Sequence, residues 1–136
     1  MIAVSTLATQ LATLTAMAAV GGPLHLPTLV ALTAPSTFTP TTTFADLVIA
    51  TYDGYADEVG LVWGTPYIDV GGRCVMDAPG GDFILTGLTV TQTIVGMALV
   101  DAGKTVLHVG YTLSPPVPLT RVGQGFRFDP TFRYGE

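Results

Sequence analysis

The sequence predicts a mainly β fold. It reads as an antiparallel β-sandwich of jelly-roll type, with about eight strands and one N-terminal helix. Three observations carry this expectation. Apolar residues alternate with a period of two through the last third of the chain, as in Leu107, Val109, Tyr111 and Leu113. Gly and Pro clusters punctuate the chain at short, regular intervals. A helical period occurs once, near the start. The arrangement suggests a helix or arm over residues 1–22 and a sandwich domain over residues 23–136.

The helix is expected from about Ser5 to Ala19. Leu7, Leu11, Leu14 and Ala18 recur at spacings of four, three and four, which places them on one face. Thr6, Thr9, Gln10 and Thr13 fall mostly opposite. Ser5 can cap the amino end, and Gly21-Gly22-Pro23 ends the helix. Leu24 to Thr33 reads as a first strand. Ala34 to Thr43 is a Pro/Ser/Thr loop stiffened by Pro35 and Pro40. Ala45 to Tyr52 holds a second apolar run. Tyr55 to Asp69 reads as a long strand with Pro66 marking an edge or bulge. Val70-Gly71-Gly72 is a hairpin turn whose return begins at Arg73, and Phe83 to Thr86 follows the turn at Ala78-Pro79-Gly80-Gly81.

Thr93 to Val100 is almost wholly apolar, as a strand buried on both faces would be. Thr105 to Leu113 alternates, with Leu107, Val109, Tyr111 and Leu113 on one face, and Ser114-Pro115-Pro116 is expected to break it. In the last strand Phe126, Phe128, Phe132 and Tyr134 point one way and Arg127, Asp129, Thr131 and Arg133 the other.

Composition excludes several function classes. Charged residues are 11% of the chain against 49% hydrophobic, and disordered chains show the opposite balance. Five basic residues and a net charge of -5 cannot neutralise a row of phosphates, so nucleic acid is not an expected partner. Cys74 is the only cysteine, so no intrachain disulfide framework exists. Residues 1–45 carry no Lys, Arg, Asp or Glu. Without a basic residue ahead of it, the N-terminal run lacks the form of a secretory signal. Its Thr and Gln interruptions argue against a membrane span.

No catalytic or cofactor motif emerges. Ser5, Ser36 and Ser114 are the serines, and none lies in a G-x-S-x-G turn. A Cys74–His108 pair is conceivable for nucleophilic chemistry, yet a lone Cys on a hairpin strand is more simply a small packing residue. The chain is therefore expected not to be an enzyme. Zinc spacings are missing. Asp77 and Asp82 around a Pro-Gly-Gly loop, and Asp53, Asp57 and Glu58 around Gly54, offer oxygen ligands suited to calcium. They lack the acid ladder of an EF-hand and read more simply as turn formers, so no metal or cofactor is expected. Trp63, Tyr52, Tyr55 and Tyr67 invite a sugar-binding platform, against the alternative that they anchor a core or interface.

One run of short phrases is distinctive. Thr42-Thr43-Phe44-Ala45-Asp46 leads to Ala50-Thr51-Tyr52-Asp53-Gly54-Tyr55-Ala56, then Leu61-Val62-Trp63-Gly64-Thr65-Pro66-Tyr67-Ile68-Asp69 and Gly96 to Asp101. This run, within residues 26–113, resembles a loose group of small β-rich proteins encoded in the structural-gene regions of tailed bacteriophages and in viral metagenomes. The resemblance implies a virion component, foremost a capsid decoration (cement) protein on the major capsid protein lattice. A tail, neck-adaptor or spike component is the alternative, and a carbohydrate-binding module is the alternative from another class. It implies no active-site residues. Expected partners are the major capsid protein or other virion subunits and further copies of the chain, a trimer being favoured.

The uncharged segments at 1–20 and 34–43 are the expected partner interface, through Leu7, Leu11, Leu14, Pro35, Phe38 and Pro40, because exposed apolar surface without charge needs cover. The competing expectation is intramolecular, with the helix sealing the open end of the sandwich.

Overall fold

The computed structural model describes residues 6–135. Its elements are α1 (Leu7–Ala18), β1 (Thr28–Ala34), a 3-10 turn (Phe44–Asp46), β2 (Val48–Ile49), β3 (Tyr67–Ile68), β4 (Cys74–Asp77), β5 (Gly81–Ile84), β6 (Gln92–Val100), β7 (Leu107–Leu119), β8 (Gly125–Phe128) and β9 (Thr131–Arg133). The fold is mainly β and antiparallel, with one helix in the described residues and open sheets stacked as a sandwich.

The principal sheet has the order β2-β1-β6-β7. Its centre is the β1–β6 ladder, from Thr28 opposite Val100 to Leu32 opposite Gly96. These strands are apolar at nearly every position because both faces are covered, as the sequence of β6 suggests. On the inner face Leu29, Ala31, Met97 and Leu99 join Tyr52, Leu61, Phe83 and Leu85 in the main core. On the outer face Val30, Leu32, Ala98 and Val100 lie under Phe38, Phe44, Leu47 and Leu107. The loop after β1 is thus a lid for its own sheet.

Two small sheets form the other layer, β3-β4-β9 and β5-β8. They are one ribbon bent at a corner. β4 pairs with β9 and β5 with β8, and Ala78 N–H donates across the bend to the Pro130 carbonyl at 3.1 Å. Gly80 sits in the bend, where a β-carbon would overlap the Phe128 carbonyl, so only glycine fits.

Four sequence expectations are corrected. Ser114-Pro115-Pro116 does not end β7. Residues 113–116 bow out of the ladder between Thr112, opposite Gly96, and Val117, opposite Ile94. Pairing then resumes, because β7 is an edge strand and its outer side needs no N–H from proline. Leu107 does not share a face with Val109. A bulge places Val109 opposite Leu99 and Leu107 opposite Val100, so His108 is the extra residue and Leu107 turns to the outer face.

The segment from Tyr55 to Asp69 is not a long strand. Gly54 and Gly60 adopt positive φ (88° and 67°), and regular pairing survives only as a bridge from Glu58 to Leu29 and as β3. The terminal strand splits at Asp129-Pro130. Phe126 and Phe128 join the main core, while Phe132 and Tyr134 join a second cluster. Pro130 has no N–H to continue the ladder, and the bend there separates the two sets.

α1 begins at Leu7. Ser5 lies outside the described residues, and Thr6 caps the helix by accepting from Thr9 N–H at 3.2 Å. After Ala18 the chain turns through Gly21 (φ 86°). Leu24 N–H donates to the Met17 carbonyl at 2.9 Å, which closes the exit.

Candidate functional site

The six residues expected at an interface separate into three environments. Leu14 is fully buried, with Leu24, Cys74, Met76 and Phe132 around it. Leu11 is partly buried against the same cluster, which also reaches Trp63 and Val109. Because Val109 and Trp63 belong to the main core as well, α1 closes one end of the interior. The side chain of Leu14 is therefore committed to its own fold. Leu7 is 47% exposed on the first turn. Phe38 lies over the glycines of β6 and β7, with its ring 3.5 Å from where a Gly96 β-carbon would stand, and a β-carbon on Gly110 would collide with it. Pro35 is half-buried at the foot of the arm and Pro40 is exposed at its tip.

Arm and edge strand together form a cleft of about 600 Å³. Thr39, Pro40 and Thr42 make one wall, and Leu107 to Tyr111 of β7 the other. The arm holds its shape through local threonine bonds: Thr39 N–H donates to Thr42 Oγ1 at 2.9 Å, and Thr43 N–H to Asp46 at 2.8 Å. His108 lines the same cleft. Its Nε2 is buried and has no hydrogen-bond partner. Burial holds its imidazole below the usual range, and Asp101 partly opposes that shift.

The other chemically competent side chains are engaged in the fold. Cys74 is buried beneath α1, with its thiol 3.6 Å from the Leu7 carbonyl, whereas His108 lines the arm cleft. Tyr52 is buried, which pushes its phenol up to about 12. Burial, and next its bond to Asp57, push Tyr55 far above the ordinary tyrosine range. The Tyr55 hydroxyl accepts from Ala31 N–H at 3.1 Å and donates to Asp57 at 2.6 Å, and Asp57 also pairs with Lys104. This network finishes the edge of β1 where β2 runs out.

The Trp63 indole N–H donates to the Leu24 carbonyl at 2.8 Å. Three of the four aromatic rings considered for a sugar platform thus pack against the main core, and Tyr67 stands apart, bonded to Asp77 at 2.7 Å.

Carboxylates considered for calcium tie together segments distant in the chain. Asp53 accepts from Thr89 N–H at 2.7 Å, and Asp77 accepts from Thr131 at 2.8 Å. No group of three or more metal-ligating side chains occurs among the described residues. No helix of the described residues is long and apolar enough to cross a membrane.

The arm is legible in the sequence and the cleft is not. A signal was present in Gly110, an isolated glycine inside an alternating strand, which marks close approach by another group. The edge position of β7 carried no local signal, because it depends on a pairing order set by distant strands. Comparison with protein-family models, curated proteins and solved structures finds no match to this chain.

Proposed function

We propose that the chain is a structural protein of a tailed-bacteriophage virion, a decoration subunit that binds the major capsid protein lattice as a small homo-oligomer. The observation that carries this reading is an apolar, charge-poor surface on an ordered β body. Val20, Val59, Val62, Val70, Leu88 and Val122 are each more than half exposed. The outward face of α1 presents Thr6, Ala8, Thr9, Ala12, Thr15, Ala16 and Ala19, without a charge. A surface of hydroxyls and small apolar groups loses little hydration energy when another protein covers it. The phrase-level resemblance to phage structural-region proteins points in the same direction.

Counting copies in purified particles tests the reading. A decoration subunit is present on the order of hundreds per particle, in a fixed ratio to the major capsid protein. About a dozen copies or fewer would move the chain to the tail or neck, and its absence from washed particles would overturn the virion reading.

A further inference from the structure

The β7 edge differs along its length. Its second half carries Pro115, Pro116 and Pro118, and two of its prolines fall in the bowed segment. Prolines deny an incoming strand its N–H partners and protect an edge from pairing. The first half, from Leu107 to Thr112, has no proline, lysine or other charged side chain, and no strand lies beyond it among the described residues.

Ladder parity identifies the groups that face outward. Ala31 turns away from β6, since its carbonyl accepts from Ala50 N–H and its own N–H donates to Tyr55. Its opposite residue Met97 therefore turns toward β7 and bonds with Tyr111. On either side of Tyr111, Gly110 and Thr112 must then direct their N–H and C=O groups to the open edge. Backbone groups aligned in this way are met by another extended strand.

We infer that the Leu107–Thr112 edge is the site where a second copy of this chain pairs through its own β7, antiparallel across a two-fold axis. The occupant follows from charge. From Thr105 to Thr120 no residue is acidic or basic apart from His108, so the edge meets its own copy without like-charge opposition. Antiparallel pairing is self-complementary, as a two-fold contact requires. The cleft beneath the arm gives the partner's strand its side-chain space, and His108 is among the residues that line that space. The result is an eight-stranded sheet, β2-β1-β6-β7 continued by its copy, in which each arm lies against the joint. The inference stands apart from the virion reading, because it concerns the isolated chain.

Native mass spectrometry and light scattering over a concentration series test it. The intact chain is expected as a dimer. Thr112→Pro removes an outward N–H without removing a β6–β7 bond, and Thr112→Lys brings a positive charge from each copy to the uncharged joint. Each is expected to weaken the dimer tenfold or more, at roughly 1.4 kcal/mol per decade, with an unchanged circular dichroism spectrum. In the intact chain, the amides of Gly110 and Thr112 should gain exchange protection as concentration rises. A monomer at all concentrations, a trimer, or a dimer that both substitutions leave intact would each overturn the inference. A dimer with no counterpart in purified particles would leave the inference standing and count against the virion role.

Discussion

Asp101 shows how much structure one carboxylate can organise. It accepts from Thr105 N–H at 2.6 Å, from Val106 N–H at 2.8 Å and from the Thr105 hydroxyl at 2.8 Å, which fixes the turn between β6 and β7. These bonds favour the ionised form, the backbone donors most, and hold its acid at about 2 against an ordinary 3.8. The folded state thus binds its proton less readily than the unfolded chain. The stability linked to this group is complete above pH 4 and is lost as pH falls toward 2. Asp101→Asn is expected to flatten the acid limb of a melting-temperature-against-pH curve in that window. A variant curve parallel to that of the parent would show that the turn is held by other means. The residue pattern made this turn legible, since Asp-Ala-Gly-Lys is turn chemistry. It could not reveal the three-donor cradle, which depends on where Thr105 and Val106 return.

Elements were legible where one physical cause dominated. β6 is apolar from Ile94 onward and is buried on both sides from Gly96 to Val100, and α1 repeats its leucines at helical spacing. Legibility failed where tertiary placement outweighed local pattern. The Tyr55 to Asp69 run has strand-forming residues, yet its glycines release the backbone and the segment lies along β1 as an irregular border. The Phe-rich terminus alternates without interruption, and Pro130 still sends its two halves to different clusters.

For α1 the spacing predicted an apolar face but left its occupant open. The structure places Leu14 in the interior at 0% exposure and Leu7 at 47%. Leu14→Ala is therefore expected to cost about 2–5 kcal/mol, and Leu7→Ala less than about 0.5 kcal/mol. Denaturant unfolding of the two variants checks this, and equal losses would contradict the placement of α1 as an interior element.

At the scale of the whole molecule the electrostatics are sparse. Lys104, Arg127 and Arg133 are each paired with carboxylates, and the helix, the arm and the first half of β7 carry no Lys, Arg, Asp or Glu from Leu7 to Ala45 or from Thr105 to Thr112. Association through such surfaces owes little to long-range attraction. Self-association is accordingly expected to change less than about twofold between roughly 0.05 and 0.5 M salt, where screening shortens the reach of charge to a few ångströms. A steep salt dependence in sedimentation equilibrium would assign the contact to the Asp- and Arg-bearing surface instead. Composition made this sparseness legible before any fold was known. It could not say which uncharged residues face outward, because that is decided by the sheet order.

The bent ribbon also governs when the molecule can exist as a whole. β4 and β5 find ladder partners in β9 and β8, which are separated from them by some forty to fifty intervening residues. Phe126 and Phe132 complete the walls of the two interior clusters. During synthesis, every earlier strand leaves the ribosome before these walls are available, and the nascent chain carries an open, apolar interior until β8 and β9 emerge. Closure therefore comes as a single late event, and a chain interrupted before Gly125 would be left as a sheet with one side missing.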